Sequence, residues 1–220
     1  DLNKMLLKID YLNLKKDKNL NAELVVEGIY EKDKGLNLKK VSILDNDIKI
    51  ILNNFLLDKE NKIIKVDKID LDYVDAANKK NEFSIQRKQK NDYELKGVVF
   101  NANSIIADLL KNKNDDEKSD NFKNDINLYI NLAEIFIDDV TVARNLKGKL
   151  RLENNKIVQT NISALFKDNE NFTFTINTKN DEKTTTLFSS RAKPLVRQYK
   201  FIKGFEEGYL DFYSSKKGNV

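Results

Sequence analysis

Cysteine and histidine are both absent from this 220-residue sequence. Without cysteine the chain can form neither disulfide bonds nor thiolate nucleophiles. Without histidine it cannot assemble His/Cys metal sites, Ser-His-Asp triads or Cys-His dyads. Acid–base chemistry by aspartate and glutamate stays open. We therefore expect a protein that is not an enzyme and that holds no metal and no cofactor.

Long hydrophobic runs are also missing. The longest apolar clusters are short, for example Ile50–Leu52 and Phe55–Leu57, whereas a membrane-spanning helix needs roughly 18 unbroken apolar residues. The chain starts at Asp1 without the charged, apolar and small-residue regions of a signal peptide. We interpret it as a fragment or processed product whose targeting segment or anchor lies upstream.

Charge of neither sign dominates. The 39 basic and 35 acidic residues are closely interspersed and give a net charge of +4. Nucleic-acid-binding proteins usually concentrate basic residues on one face. This distribution favours solubility and argues against a nucleic-acid partner.

Alternation of apolar and polar residues is the main structural signal, and it predicts β-strands with one apolar face. In the first half the alternating segments are Leu36–Ile43, Ile48–Leu52, Val66–Tyr73 and Tyr93–Val99. In the second half they are Ile126–Leu132, Leu146–Leu152 and Phe172–Asn177. Turn residues such as Asp168-Asn169 and Asn180-Asp181 separate strands about every ten residues. A mainly β fold follows.

Two short helices are expected among the strands. The first begins at Asn103-Ser104 and runs through Lys111, and the second begins at Pro194 and stops near Gly204. Phe100 and Phe188 each end a strand before one of these helices. This pattern predicts a first β-rich unit over residues 1–112, an acidic linker or loop over 113–122, and a second β-rich unit over 123–220, as in repeat proteins.

Paired acidic residues recur along the chain. They are Asp45/Asp47, Asp70/Asp72, Asp138/Asp139 and Glu206/Glu207. Carboxylates two apart on a strand share a face and could bind calcium or divide acid and base roles. Because no glycine-containing calcium loop or phosphate loop accompanies them, we interpret them as solvent-facing residues balanced by lysines.

The apolar strand faces allow two architectures that alternation cannot separate. In a closed β-sandwich they are ordinary core. In a sheet that curls without closing they line a long apolar groove suited to acyl chains, where bound lipid would supply the hydrophobic burial.

The second half of the chain resembles the repeated module of the AsmA-like family, large envelope proteins of Gram-negative bacteria. The matching segments are Leu132–Asp139, Leu146–Asn155, Ile162–Phe166, Phe172–Ile176, Leu187–Tyr199 and Gly204–Phe212. Family members commonly carry a Gly-Gly turn and an Asp-Ala-Gly helix entry, where this sequence has Glu207-Gly208 and Arg191-Ala192-Lys193.

This resemblance implies an elongated, curled antiparallel sheet that forms an open U-shaped groove. The protein would be a periplasmic segment, anchored in the inner membrane by a part outside this chain. It would conduct phospholipids between the inner and outer membranes, with acyl chains on an apolar floor and headgroups in water. The expected lipid-binding floor residues, chosen by alternation, are Leu128, Ile130, Leu132, Leu150, Leu152, Phe172, Phe174 and Ile176.

Two other functions stay open. The same strands could form a structural or interaction module of the cell envelope that docks a partner protein and carries no lipid. An envelope hydrolase with paired carboxylates is the third reading, although nothing in the sequence marks its cleft.

Overall fold

The computed structural model describes residues 6–17, 21–104, 124–154, 156–193, 195 and 207–218, with only the backbone described at Tyr11 and Asp168. Fourteen β-strands lie in these residues. They are β1 (Leu7–Ile9), β2 (Leu14–Lys16), β3 (Glu23–Glu31), β4 (Gly35–Leu44), β5 (Ile48–Leu57), β6 (Ile63–Val74), β7 (Lys80–Arg87), β8 (Asp92–Asn101), β9 (Ile126–Phe136), β10 (Val142–Glu153), β11 (Lys156–Leu165), β12 (Asn171–Lys179), β13 (Glu182–Ser189) and β14 (Leu210–Lys217).

Twelve of the strands form one sheet, in which β3 to β14 follow each other in sequence order. The sheet does not close into a barrel, because β3 and β14 lie at its opposite edges. Strands β1 and β2 form a separate two-stranded sheet. The mainly β prediction is confirmed. The closed sandwich is not what the described strands form, since they make one large open sheet and a small hairpin.

One pair of neighbours, β8 and β9, is parallel, and all other neighbouring strands are antiparallel. The parallel pair joins the first six strands of the sheet to the last six. A parallel connection must return along the length of the strands, and here the chain leaves β8 at Asn101 and enters β9 at Ile126. The expected linker over residues 113–122 falls outside the described residues, and the unit boundaries stay a prediction.

The prediction of two short helices is not borne out. Within the expected helices only Asn103, Ser104 and Leu195 have described helical backbone, together with Lys193 just before the second. Two consecutive residues are less than one helical turn, and the other expected helical positions lie outside the described residues. The helical elements of the described chain are the 3₁₀ turns Asp10–Leu12 and Lys167–Asn169. Among described residues, no helix has the length and apolar character needed to cross a membrane.

Two hairpin turns, one between β5 and β6 and one between β6 and β7, share the pattern Asp-x-x-Asn-Lys. This pattern explains how the chain reverses direction tightly at both places. The Asp58 and Asp75 carboxylates each accept hydrogen bonds from two backbone N–H groups of their own turn, at 2.9 Å. Asn61 and Asn78 adopt left-handed conformations, with φ of 62° and 58°. Asparagine tolerates this region better than most residues. The turns are therefore encoded locally.

One end of the sheet is covered by the β1–β2 hairpin, and we call it the capped end. It contains the C-terminal end of β6, where Tyr73 is fully buried and donates a hydrogen bond to the Leu12 carbonyl at 2.9 Å. The Ala76 N–H donates to the Asn13 carbonyl at 2.9 Å. Leu14 is 1% exposed and belongs to the same apolar cluster. The hairpin thus covers the apolar face around the end of β6.

A buried polar network also lies at the capped end. Asn101 donates from its backbone N–H to the Asn81 side chain at 2.7 Å and from its amide to the Asp75 carboxylate at 2.6 Å. All three side chains are buried. Because every buried polar group needs a partner, this network fixes β6, β7 and β8 relative to one another.

Candidate functional site: an apolar strip across the sheet

A continuous line of apolar residues crosses all twelve strands at mid-height on one face. Each member is the direct register partner of the next, and we call the line the central rung. From β3 to β14 it is Val26, Val41, Leu52, Ile69, Ile85, Leu95, Ile130, Gly148, Ile162, Phe174, Leu187 and Phe212. No member has a polar side chain.

Every side chain of the neighbouring line on the opposite face carries a charged, amide or hydroxyl group. It is displaced by one residue along every strand and runs Glu27, Lys40, Asn53, Lys68, Gln86, Glu94, Tyr129, Lys149, Asn161, Thr175, Thr186 and Tyr213. Successive side chains in a strand point to opposite faces. At mid-height the register therefore keeps one face apolar and the other polar across the full width of the sheet.

The apolar face is buried at the capped end and half-exposed at mid-height. Next to the central rung, toward the capped end, Ile50, Leu71 and Leu132 are 4%, 6% and 2% exposed. In the central rung itself only Leu187 is buried, and nine members are half-buried. Its two edge members, Val26 and Phe212, are 53% and 47% exposed. A strip of partly exposed apolar side chains thus crosses the sheet, interrupted at the buried Leu187 of β13.

The eight expected floor residues all lie on this apolar face. Ile130 and Phe174 belong to the central rung. On the capped side, Leu132 pairs with Leu146, and Phe172 pairs with Ala164. The remaining four lie on the other side of the central rung, where the line next to the rung becomes more polar toward β14. That group consists of Leu128, Leu150 and Ile176, with Leu152 one further step away opposite Ile126.

The first half of the sheet contributes as much to the strip as the second. None of the floor residues expected from the sequence lies in this first half. Val41, Leu52, Ile69, Ile85 and Leu95 supply five consecutive members. The signal for four of them was present, since Val41, Leu52, Ile69 and Leu95 lie in alternating segments recognised from the sequence.

Gly148 is the only central-rung position without a side chain. A Cβ there would lie 2.4 Å from the Asn161 carbonyl oxygen and 2.9 Å from the Ile162 Cα. Both distances are well below ordinary contact, so β10 and β11 approach too closely here for any side chain. The strip stays apolar because Ile130 and Ile162 flank the gap.

Polar groups border the strip on the side away from the capped end. Arg87, two residues beyond Ile85 and on the same face, makes an ion pair with Asp67 at 2.7 Å. Arg87 is paired in register with Tyr93, whose ring is buried. Burial raises the pKa of the Tyr93 phenol above its usual range. The phenol is therefore neutral at pH 7. Asp67 also lies 3.9 Å from the Lys65 ammonium, so the border combines ion pairs with uncharged groups.

The acidic pairs in the described part of the chain are engaged mainly with their own turns and with lysines. Asp45 and Asp138 each accept two backbone N–H hydrogen bonds within their own turns. Asp70 pairs with Lys68 at 2.9 Å, and Asp72 pairs with a lysine of β7. No group of three or more potential metal ligands occurs among the described residues. Glu206 lies outside them.

Comparison of the chain with protein-family models, with curated proteins and with solved structures finds no match.

Proposed function

We propose that the apolar strip holds the acyl chains of phospholipids, and that the sheet is an open U-shaped groove through which they pass. In this proposal the chain is a periplasmic segment of an envelope protein similar to the AsmA-like family. It conducts phospholipids between the inner and outer membranes. The observation that carries the proposal is the central rung, which stays apolar through all twelve strands while remaining half-exposed in nine of them.

The dimensions of the strip fit a lipid path rather than a single binding pocket. Neighbouring strands lie about 4.8 Å apart, so the eleven steps of the central rung span roughly 53 Å. The hydrocarbon core of a bilayer is about 30 Å thick. A strip of this length is about three and a half times the thickness of one leaflet, which suits several acyl chains following one another.

The energetics favour occupation of the strip. Each methylene group removed from water contributes about 0.8 kcal/mol. Half-buried residues such as Leu52, Ile69 and Leu95 leave part of their surface to contact an acyl chain. Because an acyl chain would meet similar apolar side chains on each strand, a lipid could move along the strip without crossing a polar position. Transport would then be passive sliding.

Headgroups would remain on the side away from the capped end. Polar groups on the apolar face begin there, with Arg87 and Asp67 near the centre and Thr185 and Ser214 toward β14. A charged headgroup keeps its hydration at such a border, whereas the hairpin blocks the opposite side at Tyr73. This arrangement orients a bound lipid, with its headgroup at the polar border and its acyl chains on the strip.

The test is native mass spectrometry of the chain purified from a bacterial host, followed by solvent extraction. We expect co-purified phospholipid that is lost in Phe174→Glu and kept in Asn177→Glu. Asn177 is exposed on the opposite face of the same strand, so the control introduces the same charge without touching the strip. An unliganded mass, with no displacement of a fluorescent lipid, would contradict the proposal.

A structural or interaction module is the second candidate, and the exposed apolar edges of the sheet favour it. Leu24, Val26 and Phe212 are 39%, 53% and 47% exposed on β3 and β14. The two candidates are separable because lipid binding depends on the middle of the strip, whereas docking depends on its edges.

A further inference from the structure

Exposed apolar side chains concentrate at the two edges of the sheet. Of the twelve large apolar side chains that are exposed in the described residues, four lie on β3 and three lie on or next to β14. The β3 group includes Ile29 and Tyr30, at 66% and 70% exposure. The β14 group includes Tyr209 and Tyr213, at 70% and 67%. Aromatic residues are enriched in protein interfaces, and soluble sheets usually protect such edges with charge or proline.

We propose that β14 of one copy of this chain pairs in parallel with β3 of a second copy, with Phe212 opposite Val26 of that copy. Both strands run away from the capped end, since β3 begins opposite Leu44 and β14 begins opposite Ser189. A second copy placed beside the first in the same orientation therefore presents β3 parallel to β14. This inference concerns the edges alone and does not depend on lipid binding.

The side chains are complementary in this register. Phe212 meets Val26 in the central rung, and Leu210 meets Leu24 beside it. At the far end Lys217 meets Glu31, an opposite-charge pair of the kind that stabilises neighbouring strands.

The alternative antiparallel alignment is less favourable. If Phe212 and Val26 were kept opposite each other with one strand reversed, Asp211 would face Glu27. Like charges directly opposite are destabilising. Strand β3 carries three glutamates and no basic residue, so an acidic group opposite its middle has no compensating neighbour within that strand.

A parallel junction of the same type already exists inside the molecule. Strands β8 and β9 pair in parallel, and Leu95 faces Ile130 across the junction in the central rung. The polar line continues there too, with Glu94 opposite Tyr129. This sheet therefore tolerates a parallel pair in its interior without interrupting either face.

The pairing is head-to-tail, because it joins two different surfaces of the same chain. Such contacts generate open chains or closed rings rather than symmetric dimers. Each added copy would extend the central rung by another roughly 53 Å at the same strand spacing. A continuous apolar strip longer than one molecule would result.

Paired cysteine substitutions test the register in this cysteine-free chain. Equal amounts of Glu27→Cys and Tyr213→Cys are mixed and oxidised without lipid or detergent. We expect a mixed disulfide between the two variants, because neighbouring strands bring Cα atoms within the 4.4–6.8 Å that a disulfide needs. The matched control, Glu27→Cys mixed with Asp211→Cys, should give at least tenfold less, since that pair reports the antiparallel alignment. A control yield equal to or above the first pair's would overturn the parallel register.

Assembly is tested separately by sedimentation of the unmodified chain over a wide concentration range. We expect species larger than a monomer that Val26→Lys abolishes and Val140→Lys leaves unchanged. Val140 is 77% exposed in the β9–β10 turn, away from both edges. A chain that stays monomeric at the highest concentration and yields no mixed disulfide would exclude a second copy as the occupant of the edge.

Discussion

Replacing Ile130 with glutamate should weaken lipid binding strongly at pH 7 and only mildly at pH 5. Ile130 lies in the central rung between Leu95 and Gly148 and is half-buried. In the lipid-free protein the new carboxylate can reach water. Under an acyl chain it loses that water, and the cheapest response is to take up a proton, because a neutral carboxylic acid is far less costly to bury than a charged one.

The magnitude follows from the cost of protonation. A glutamate with an unperturbed pKa near 4.3 costs about 1.36 kcal/mol per pH unit to protonate above that value. At pH 7 this amounts to about 3.7 kcal/mol, or roughly 500-fold in affinity, and at pH 5 to about 1 kcal/mol, or roughly fivefold. Because the lipid-bound state takes up the proton, binding must tighten as the pH falls.

The assay is displacement of a fluorescent phospholipid at pH 7 and pH 5, with Asn131→Glu as the matched control. Asn131 is exposed on the opposite face, adjacent in sequence. The control should bind like the unsubstituted chain at both pH values. If Ile130→Glu also bound normally at pH 7, or if its defect did not change with pH, the strip would not be the lipid contact.

Three further predictions concern stability. Gly148→Ala should lower Tm by several degrees in thermal unfolding, because the new Cβ would overlap backbone atoms of β11, at a cost of about 1–3 kcal/mol. Lys147→Ala, on the exposed side of the same strand, should change Tm little. Tyr73→Phe should cost about 1 kcal/mol at pH 8 through loss of a hydrogen bond. Burial raises the pKa of the Tyr73 phenol well above its usual range. As the pH rises, the phenol therefore loses its proton at a lower pH in the unfolded chain than in the folded chain. The wild-type chain must therefore lose stability as the pH rises above about 10, and the difference from Tyr73→Phe should shrink there in urea titrations. Asp75→Ala should lower the urea midpoint by the equivalent of about 2 kcal/mol. The substitution leaves the Asn101 amide and two turn N–H groups without their acceptor. An unchanged midpoint would show that water replaces the carboxylate.

The faces of the strands could be assigned from the sequence because alternation is a local property. In Phe172–Ile176 the apolar residues are two apart, and any strand conformation puts them on one side. The same argument holds for Leu128, Ile130 and Leu132. The structure places all of these residues on one face of the sheet. Their role as a lipid floor stays a prediction, since alternation describes a face and not what covers it.

The sequence could not predict the hydrogen bonds that depend on distant partners. Tyr73 reads as one more apolar position in an alternating strand, yet its hydroxyl bonds to Leu12, 61 residues away. Asn101 reads as a strand end, yet it joins a buried network with Asp75. Helical spacing after Asn103 suggested a helix that the described residues do not bear out. Contacts between residues far apart in the sequence leave no periodic signal.

Sequence by itself determined that this chain is built of strands with one apolar and one polar face, because that pattern is written in neighbouring residues. Only the tertiary structure decided that twelve strands share a single open sheet, and that the β1–β2 hairpin covers one end of its apolar face. It alone also decided that Leu95 meets Ile130 across a parallel junction. The physical reason is that register and neighbour choice depend on hydrogen bonds and packing between distant segments, whose free energy no single strand contains.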